Sequence, residues 1–242
     1  MPLTTEKTVR EIALEVPGAT RLFEKLGIDY CCGGSRPLGE ACQAAGLSPE
    51  QVLDTLELDE FAARRGCEDR DWTSEPLAEL TAHIKNTHHK YTREELARFR
   101  PLADKVCSVH GKNHPELQEI RGILVALTEE LTMHMMKEEM ILFPYIERLE
   151  ESAMAKEPVV PPPFGSVRNP VAMMLREHDD AGTALRQLRC ITSAYTAPPD
   201  ACVTYQTLYN ALADFEADLH QHIHLENNIL FPRAIEMEKS VG

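Results

Sequence analysis

The feature that most constrains this chain is an eleven-residue pattern written twice. Residues 134–144 read HMMKEEMILFP and residues 222–232 read HIHLENNILFP, both fitting H-x-x-x-E-x-x-x-L-F-P, 88 residues apart. A histidine and a glutamate four residues apart share one face of a helix. Around the first copy the heptad seam reads Leu117, Ile120, Leu124, Leu127, Leu131, His134, Glu138, Ile141, Tyr145. Around the second it reads Tyr205, Leu208, Leu212, Phe215, Leu219, His222, Glu226, Ile229. The polar pairs therefore fall on core positions. An ionised carboxylate there costs several kcal/mol unless something compensates it. A cation held by carboxylate and neutral imidazole removes that cost in both places.

Apolar residues recur at spacings of three and four and strand patterning is nearly absent, so the chain is expected to be all-α. Four long helices are expected near 75–107, 115–152, 169–194 and 200–238, joined by CSVHGKNHP, the proline-rich AKEPVVPPPFGSVR, and TAPPD. Short links between long helices predict an up-down-up-down four-helix bundle over 72–238. The third helix puts His178 on its seam with Met174, Ala181, Leu185 and Leu188. In the first helix the seam is ambiguous: Leu77, Leu80 and Ile84 place His88 inward, whereas Leu96, Phe99, Ala103 and Val106 place His89 inward. His89 and His134 lie equally far from the first turn, and His178 and His222 equally far from the third. All four helices thus deliver a ligand to one slice of the bundle.

Four imidazoles and two carboxylates are too many for one tetrahedral ion and suit two ions bridged by the carboxylates. Mixed N/O ligation favours iron, with manganese as the alternative. The H-E-x-x-H pattern of zinc hydrolases and the Glu-x-x-His pattern of ferritin-like bundles are missing from these seams. Pro144 and Pro232 each follow a glutamate by six residues and should bend the helix beyond it.

Residues 1–66 form a smaller helical part, broken at Pro17-Gly18, Gly33-Gly34 and Gly46-Leu47-Ser48-Pro49. Ser48 reads as the N-cap of a helix reaching about Arg65. Four short helices hold too little core to stand alone, so this part is expected to dock on the bundle. Its Cys31 and Cys32 precede Gly33-Gly34 and Pro37, which puts the thiols near a helix start where the thiolate is favoured; two small buried side chains at a turn are the plain alternative. The other cysteines, at 42, 67, 107, 190 and 202, carry no functional assignment.

A net charge of -14 with no basic stripe argues against nucleic acid. No apolar run approaches membrane-spanning length, no signal peptide is expected, and seven scattered cysteines fit a reducing cytoplasm. His88, His220 and His224 fall off the seam and are expected in solvent, as are Asp179 and Asp180. The methionines at 133, 135, 136, 140, 173 and 174 are expected to serve packing rather than cofactor chemistry.

HHKYTREEL, HMMKEEMILFP, LREHDDAG and HIHLENNILFP together resemble the hemerythrin-like domain of the repair-of-iron-centres family, and DYCCGG at Asp29–Gly34 resembles the small domain that precedes it there. The resemblance implies a cytoplasmic protein with two non-haem iron ions, repairing iron–sulfur clusters damaged by oxidative or nitrosative stress. It implies ligation by His89, His134, Glu138, His178, His222 and Glu226, and a redox or ligand role for Cys31 and Cys32. His110 also matches a family histidine, but a continuous helix would hold it about 30 Å from His89. Damaged iron–sulfur proteins would be the clients and nitric oxide or oxygen species the small ligands, with a homodimer left open. Two rival classes fit the same residues: a reductase of nitric oxide or peroxide, and a hemerythrin-type oxygen or nitric oxide binder or sensor.

Overall fold

The computed structural model describes residues 3–16, 18–63 and 70–241, with the backbone alone over 57–63. Among them all extended regular structure is helical; one isolated bridge joins Thr8 and Pro37. Pro17, Arg65, the expected boundary at residue 66 and Cys67 lie outside the described residues.

Four short helices come first: α1 (Val9–Glu15), α2 (Ala19–Leu26), α3 (Leu38–Ala45) and α4 (Pro49–Ala63). Thr8 opens α1 with a capping box, its hydroxyl accepting from the Glu11 N–H while Glu11 accepts from the Thr8 N–H. Ser48 caps α4 by accepting from the Gln51 N–H at 3.4 Å. Val9, Ile12, Phe23, Leu38 and Leu56 make a small core.

Four long helices follow. Helix α5 runs through Leu77–His83, a π-helical turn at Ile84–His89, and Lys90–His110; α6 runs through Glu116–Lys137, a π-turn at Glu138–Leu142, and Phe143–Ala155. Helix α7 is Arg168–Ile191 without interruption, and α8 runs through Val203–His224, a π-turn at Leu225–Leu230, and Phe231–Val241. Helix α5 packs on α6 and α8, and α6 packs on α7, giving the expected up-down-up-down bundle. No helix among the described residues is long and apolar enough to cross a membrane.

The prolines account for two of the three π-turns. Proline has no N–H for the carbonyl four residues back, and its ring collides with it. The phenylalanine before each proline donates five residues back instead, Phe143 to the Glu138 carbonyl and Phe231 to that of Glu226. Each helix thereby takes in an extra residue at its glutamate. The extra residue shifts the helical phase beyond the glutamate. It corrects the place of Ile141, expected on the seam but 49% exposed, while its neighbour Leu142 is buried. In α5 the π-turn contains His88 and His89 and joins the two seams that disagreed about them. The apolar residues named on both sides of it are buried, and so are both histidines.

Neighbouring helices supply two N-caps. Glu150 accepts from the N–H groups of Leu77 and Ala78 at 2.7 and 2.9 Å, and Glu238 accepts from that of Val167 at 2.8 Å. The small N-terminal part docks on α7 and α8. His220 Nδ1 pairs with Glu24 at 2.8 Å, Arg186 approaches Asp29 at 3.8 Å, and Cys31 is buried within the bundle core.

Candidate metal centre

Six side chains from all four long helices meet in one buried slice. His89 and His222 join Glu138 and Glu226 in one four-ligand set; His134 and His178 join the same two glutamates in another. Each carboxylate gives one oxygen to each set. Glu138 Oε2 lies 3.3 Å from His89 Nε2 and its Oε1 lies 3.2 Å from His134 Nε2. Glu226 Oε1 lies 3.2 Å from His222 Nε2 and its Oε2 lies 3.1 Å from His178 Nε2. Within each set the imidazoles face each other, His89 Nε2 to His222 Nε2 at 3.2 Å and His134 Nε2 to His178 Nε2 at 3.1 Å.

Both glutamates are wholly buried, and no hydrogen bond reaches any of their four carboxylate oxygens among the described residues. Buried polar atoms without partners are rare because each loses its hydration uncompensated. Four such oxygens facing four imidazole nitrogens fit a pair of cations. Three of the four outer nitrogens are held as well, the exception being His222 Nδ1, which is buried without a hydrogen-bond partner among the described residues. His89 Nδ1 donates to Glu139 at 2.6 Å, His134 Nδ1 to Glu177 at 2.8 Å, and His178 Nδ1 to Asn227 Oδ1 at 2.7 Å. Each of these bonds leaves the Nε2 lone pair aimed inward, the tautomer a metal needs.

The electrostatics agree. Burial pulls the His134 imidazole down, but the carboxylates of Glu138, Glu177 and Glu226 together outweigh that and raise it to about 10. Burial pushes Glu226 up, yet His222 and His178 hold it well below the usual carboxylate range. Without metal, His134 therefore holds its proton more tightly than a free imidazole does, beside a Glu226 carboxylate that gives up its proton more readily than usual.

Sequence profiles divide the chain in two. The Hemerythrin HHE cation binding domain matches residues 80–234. The chain belongs to that family. A profile described as Domain of Unknown function (DUF542) matches residues 5–60. The iron-sulfur cluster repair protein YtfE of Cronobacter sakazakii is 38% identical over 97% of this chain and 98% of its own length. A probable iron-sulfur cluster repair protein of Haemophilus influenzae is 37% identical over 95% and 97%. An Escherichia coli YtfE is 37% identical over 96% and 98%. The fold is thus a hemerythrin-like four-helix bundle preceded by a small helical domain.

Several expectations need correction within this hemerythrin-like frame. His88 is buried, donating from Nδ1 to Asp218 at 3.0 Å and stacking on His222 with centroids 5.7 Å apart. His224 is buried too, accepting from Asn228 at 2.8 Å; desolvation holds its imidazole down at about 4. His220 is half-buried. Of the methionines, Met135 and Met174 pack inside, while Met133, Met136, Met140 and Met173 are exposed. The Cys31 thiol is not activated: the Cys32 hydrogen bond, burial and the Asp29 carboxylate push it well above its ordinary value. His110 stands outside both four-ligand sets, against Tyr205 with centroids 5.3 Å apart. Asp179 and Asp180 are exposed as expected.

Glu139, Glu177 and Asn227 escaped the sequence reading. Each stands one residue from a candidate ligand, a step that points off the face in a regular helix. The usable signal was adjacency: polar residues beside a buried glutamate or histidine.

Proposed function

We propose that His89, His134, Glu138, His178, His222 and Glu226 hold two iron ions, and that the protein restores iron–sulfur clusters damaged by oxidative or nitrosative stress. The observation that carries this reading is the division of oxygens: each glutamate serves both four-ligand sets, as bridging carboxylates would. Relatives named as iron-sulfur cluster repair proteins align over nearly the full chain and support it. Damaged iron–sulfur proteins are then the clients, met in the cytoplasm, with residues 1–66 and 72–238 as the two working parts.

A bound pair of irons supplies one-electron chemistry and open positions for nitric oxide or an oxygen species. The chain's residues do the rest. Glu139, Glu177 and Asn227 fix the tautomers of His89, His134 and His178, and the buried slice excludes bulk water. A cavity of about 390 Å³ opens beside His134, lined by Glu129, Glu130, Met133, Lys137, Glu177 and Asp180. Its acidic rim attracts cations and suits the passage of metal in or out. Cys31 and Cys32 would act on the client side, as a redox pair or as transient ligands.

The test begins with anaerobically purified chain grown on iron-57. About two irons per chain, one for each four-ligand set, with a coupled di-iron Mössbauer spectrum, is the expected result. Manganese in their place would change the metal and keep the site. The loaded chain should restore a nitrosylated [4Fe–4S] hydratase, and a Glu138→Ala, Glu226→Ala variant should not. Product formed from nitric oxide or peroxide over many cycles, with no client restored, would make the protein a reductase instead.

A further inference from the structure

The Asp29–Gly34 motif gathers three metal-binding atoms in one loop. Cys31 Sγ lies 3.5 Å from Asp29 Oδ1 and 3.8 Å from Cys32 Sγ, and the three ligand atoms all fall within 4.8 Å of one another. A tetrahedral ion bound at about 2.3 Å to sulfur and about 2.0–2.2 Å to a carboxylate oxygen has sulfur–sulfur edges of about 3.8 Å and sulfur–oxygen edges of about 3.5–3.7 Å. Both edges of the loop match these lengths. We propose that Asp29, Cys31 and Cys32 form a further metal site, separate from the paired centre of the bundle, for a single thiophilic divalent ion. Its load in a cluster-repairing protein is ferrous iron for delivery to clients, and that choice of metal rests on the function proposed above.

The rest of the motif serves the same geometry. Asp29 Oδ1 accepts from the N–H groups of Cys32 and Gly33, each at 2.9 Å, which holds the carboxylate over the thiols as ligating carboxylates are usually held. Its Oδ2 faces Arg186 at 3.8 Å. Gly33 leaves the space for it, since a Cβ there would come within 3.1 Å of the Asp29 carboxyl group. Cys31 is buried, Cys32 half-buried and Asp29 exposed, so one side of the site faces solvent. Three side chains leave the fourth position of the tetrahedron to water or to a client's thiol, whereas structural zinc sites are closed on all four sides. Cys32 Sγ also lies 3.7 Å from the His178 carbonyl, which puts the loop against a helix that serves the paired centre. Binding displaces both thiol protons to solvent, because a coordinated thiol is deprotonated outright. No electron moves. An accessible ferrous ion on two thiolates already has the ligand type that iron–sulfur clusters use, which suits its transfer to client cysteines.

The probe is cobalt(II), added anaerobically to the reduced full chain carrying Glu138→Ala and Glu226→Ala, so that the paired centre is disabled. About one ion per chain is expected, with thiolate-to-cobalt charge-transfer absorption and tetrahedral d–d bands. Cys32→Ser should remove the tetrahedral bands. Asp29→Asn keeps an oxygen for both N–H groups and should weaken cobalt by about tenfold or more, since even groups behind a ligand are worth that much. With the glutamates intact, Cys32→Ser should lower the count from about three ions per chain to about two. Octahedral cobalt alone overturns the site, as do tetrahedral bands that survive Cys32→Ser or an affinity unchanged in Asp29→Asn. Delivery is read separately: ferrous-loaded Cys32→Ser chain, with its paired centre full, should restore a nitrosylated [4Fe–4S] hydratase several-fold more slowly than wild type. Equal rates overturn delivery from the loop. Tetrahedral cobalt in a wild-type chain that restores no client supports the site and overturns the function proposed above, so the two failures are told apart.

Discussion

In α6 the chain looks outward around its ligands, with Met133, Met136, Met140 and Ile141 all exposed. In α8 every residue from His222 to Phe231 is buried. The two copies carry the same ligands and the same phenylalanine-proline step, so the contrast comes from what covers them. Tyr30 and Cys31 of the N-terminal part lie on Asn228 and Asn227, whereas beside His134 the bundle opens into the acidic cavity. A pattern duplicated in sequence has become one fixed wall and one accessible wall. The accessible wall lies on the α6–α7 side, and the cysteine loop lies against the α8 side.

The largest effect should come from the part the two halves share. Glu138→Ala with Glu226→Ala removes both bridging groups, and metal analysis should fall from about two ions per chain to near zero. Metal retained at half that level would mean the sets are independent. Acidity comes next. In the metal-free chain His134 is raised to about 10, so its contribution to stability is full below its ordinary 6.5 and lost as pH climbs toward that value. Glu226 is lowered, so its contribution is present above 4.5 and lost as pH falls below it. The metal-free chain should therefore be most stable between about pH 4.5 and 6.5, while loading should strengthen as pH rises because cations replace those protons. Thermal melts of chelated and loaded chain across pH check both slopes, and a metal-free optimum above pH 8 would contradict them.

On the open wall, Glu177→Gln weakens the acceptor behind His134 and should lower metal affinity by about 10–100-fold, read by chelator competition. No change there would show that the His134 tautomer is fixed by something else. The smallest effects compare the walls directly. Asn228→Ala removes a buried donor from the Tyr30 carbonyl and should cost about 1–3 kcal/mol in urea unfolding. Met140→Ala, at a side chain 74% exposed, should stay within about 0.5 kcal/mol. Equal costs would erase the difference in coverage.

The fold was legible because the apolar seams of the four long helices are nearly unbroken and their links carry glycine and proline. The convergence of the six polar groups was legible for the same reason: each interrupts a seam at a matching height. Helical phase was not. Periodicity arguments assume 3.6 residues per turn, and the π-turns at 84–89, 138–142 and 225–230 break that assumption beside the candidate ligands. His88 and Ile141 were misplaced there, although the prolines at 144 and 232 announced two of the three sites. The fates of His224 and Cys31 depended on a contact between parts of the chain nearly 200 residues apart, which no local pattern encodes.

The caps that Glu150 and Glu238 lend to α5 and α7 have a consequence for assembly. Each of those helices takes an acceptor for its first turn from a distant residue, and each lender stands beyond a π-turn, near the far end of its helix. Loss of the short tail carrying Glu238 would therefore take an acceptor from the beginning of a helix some 70 residues upstream.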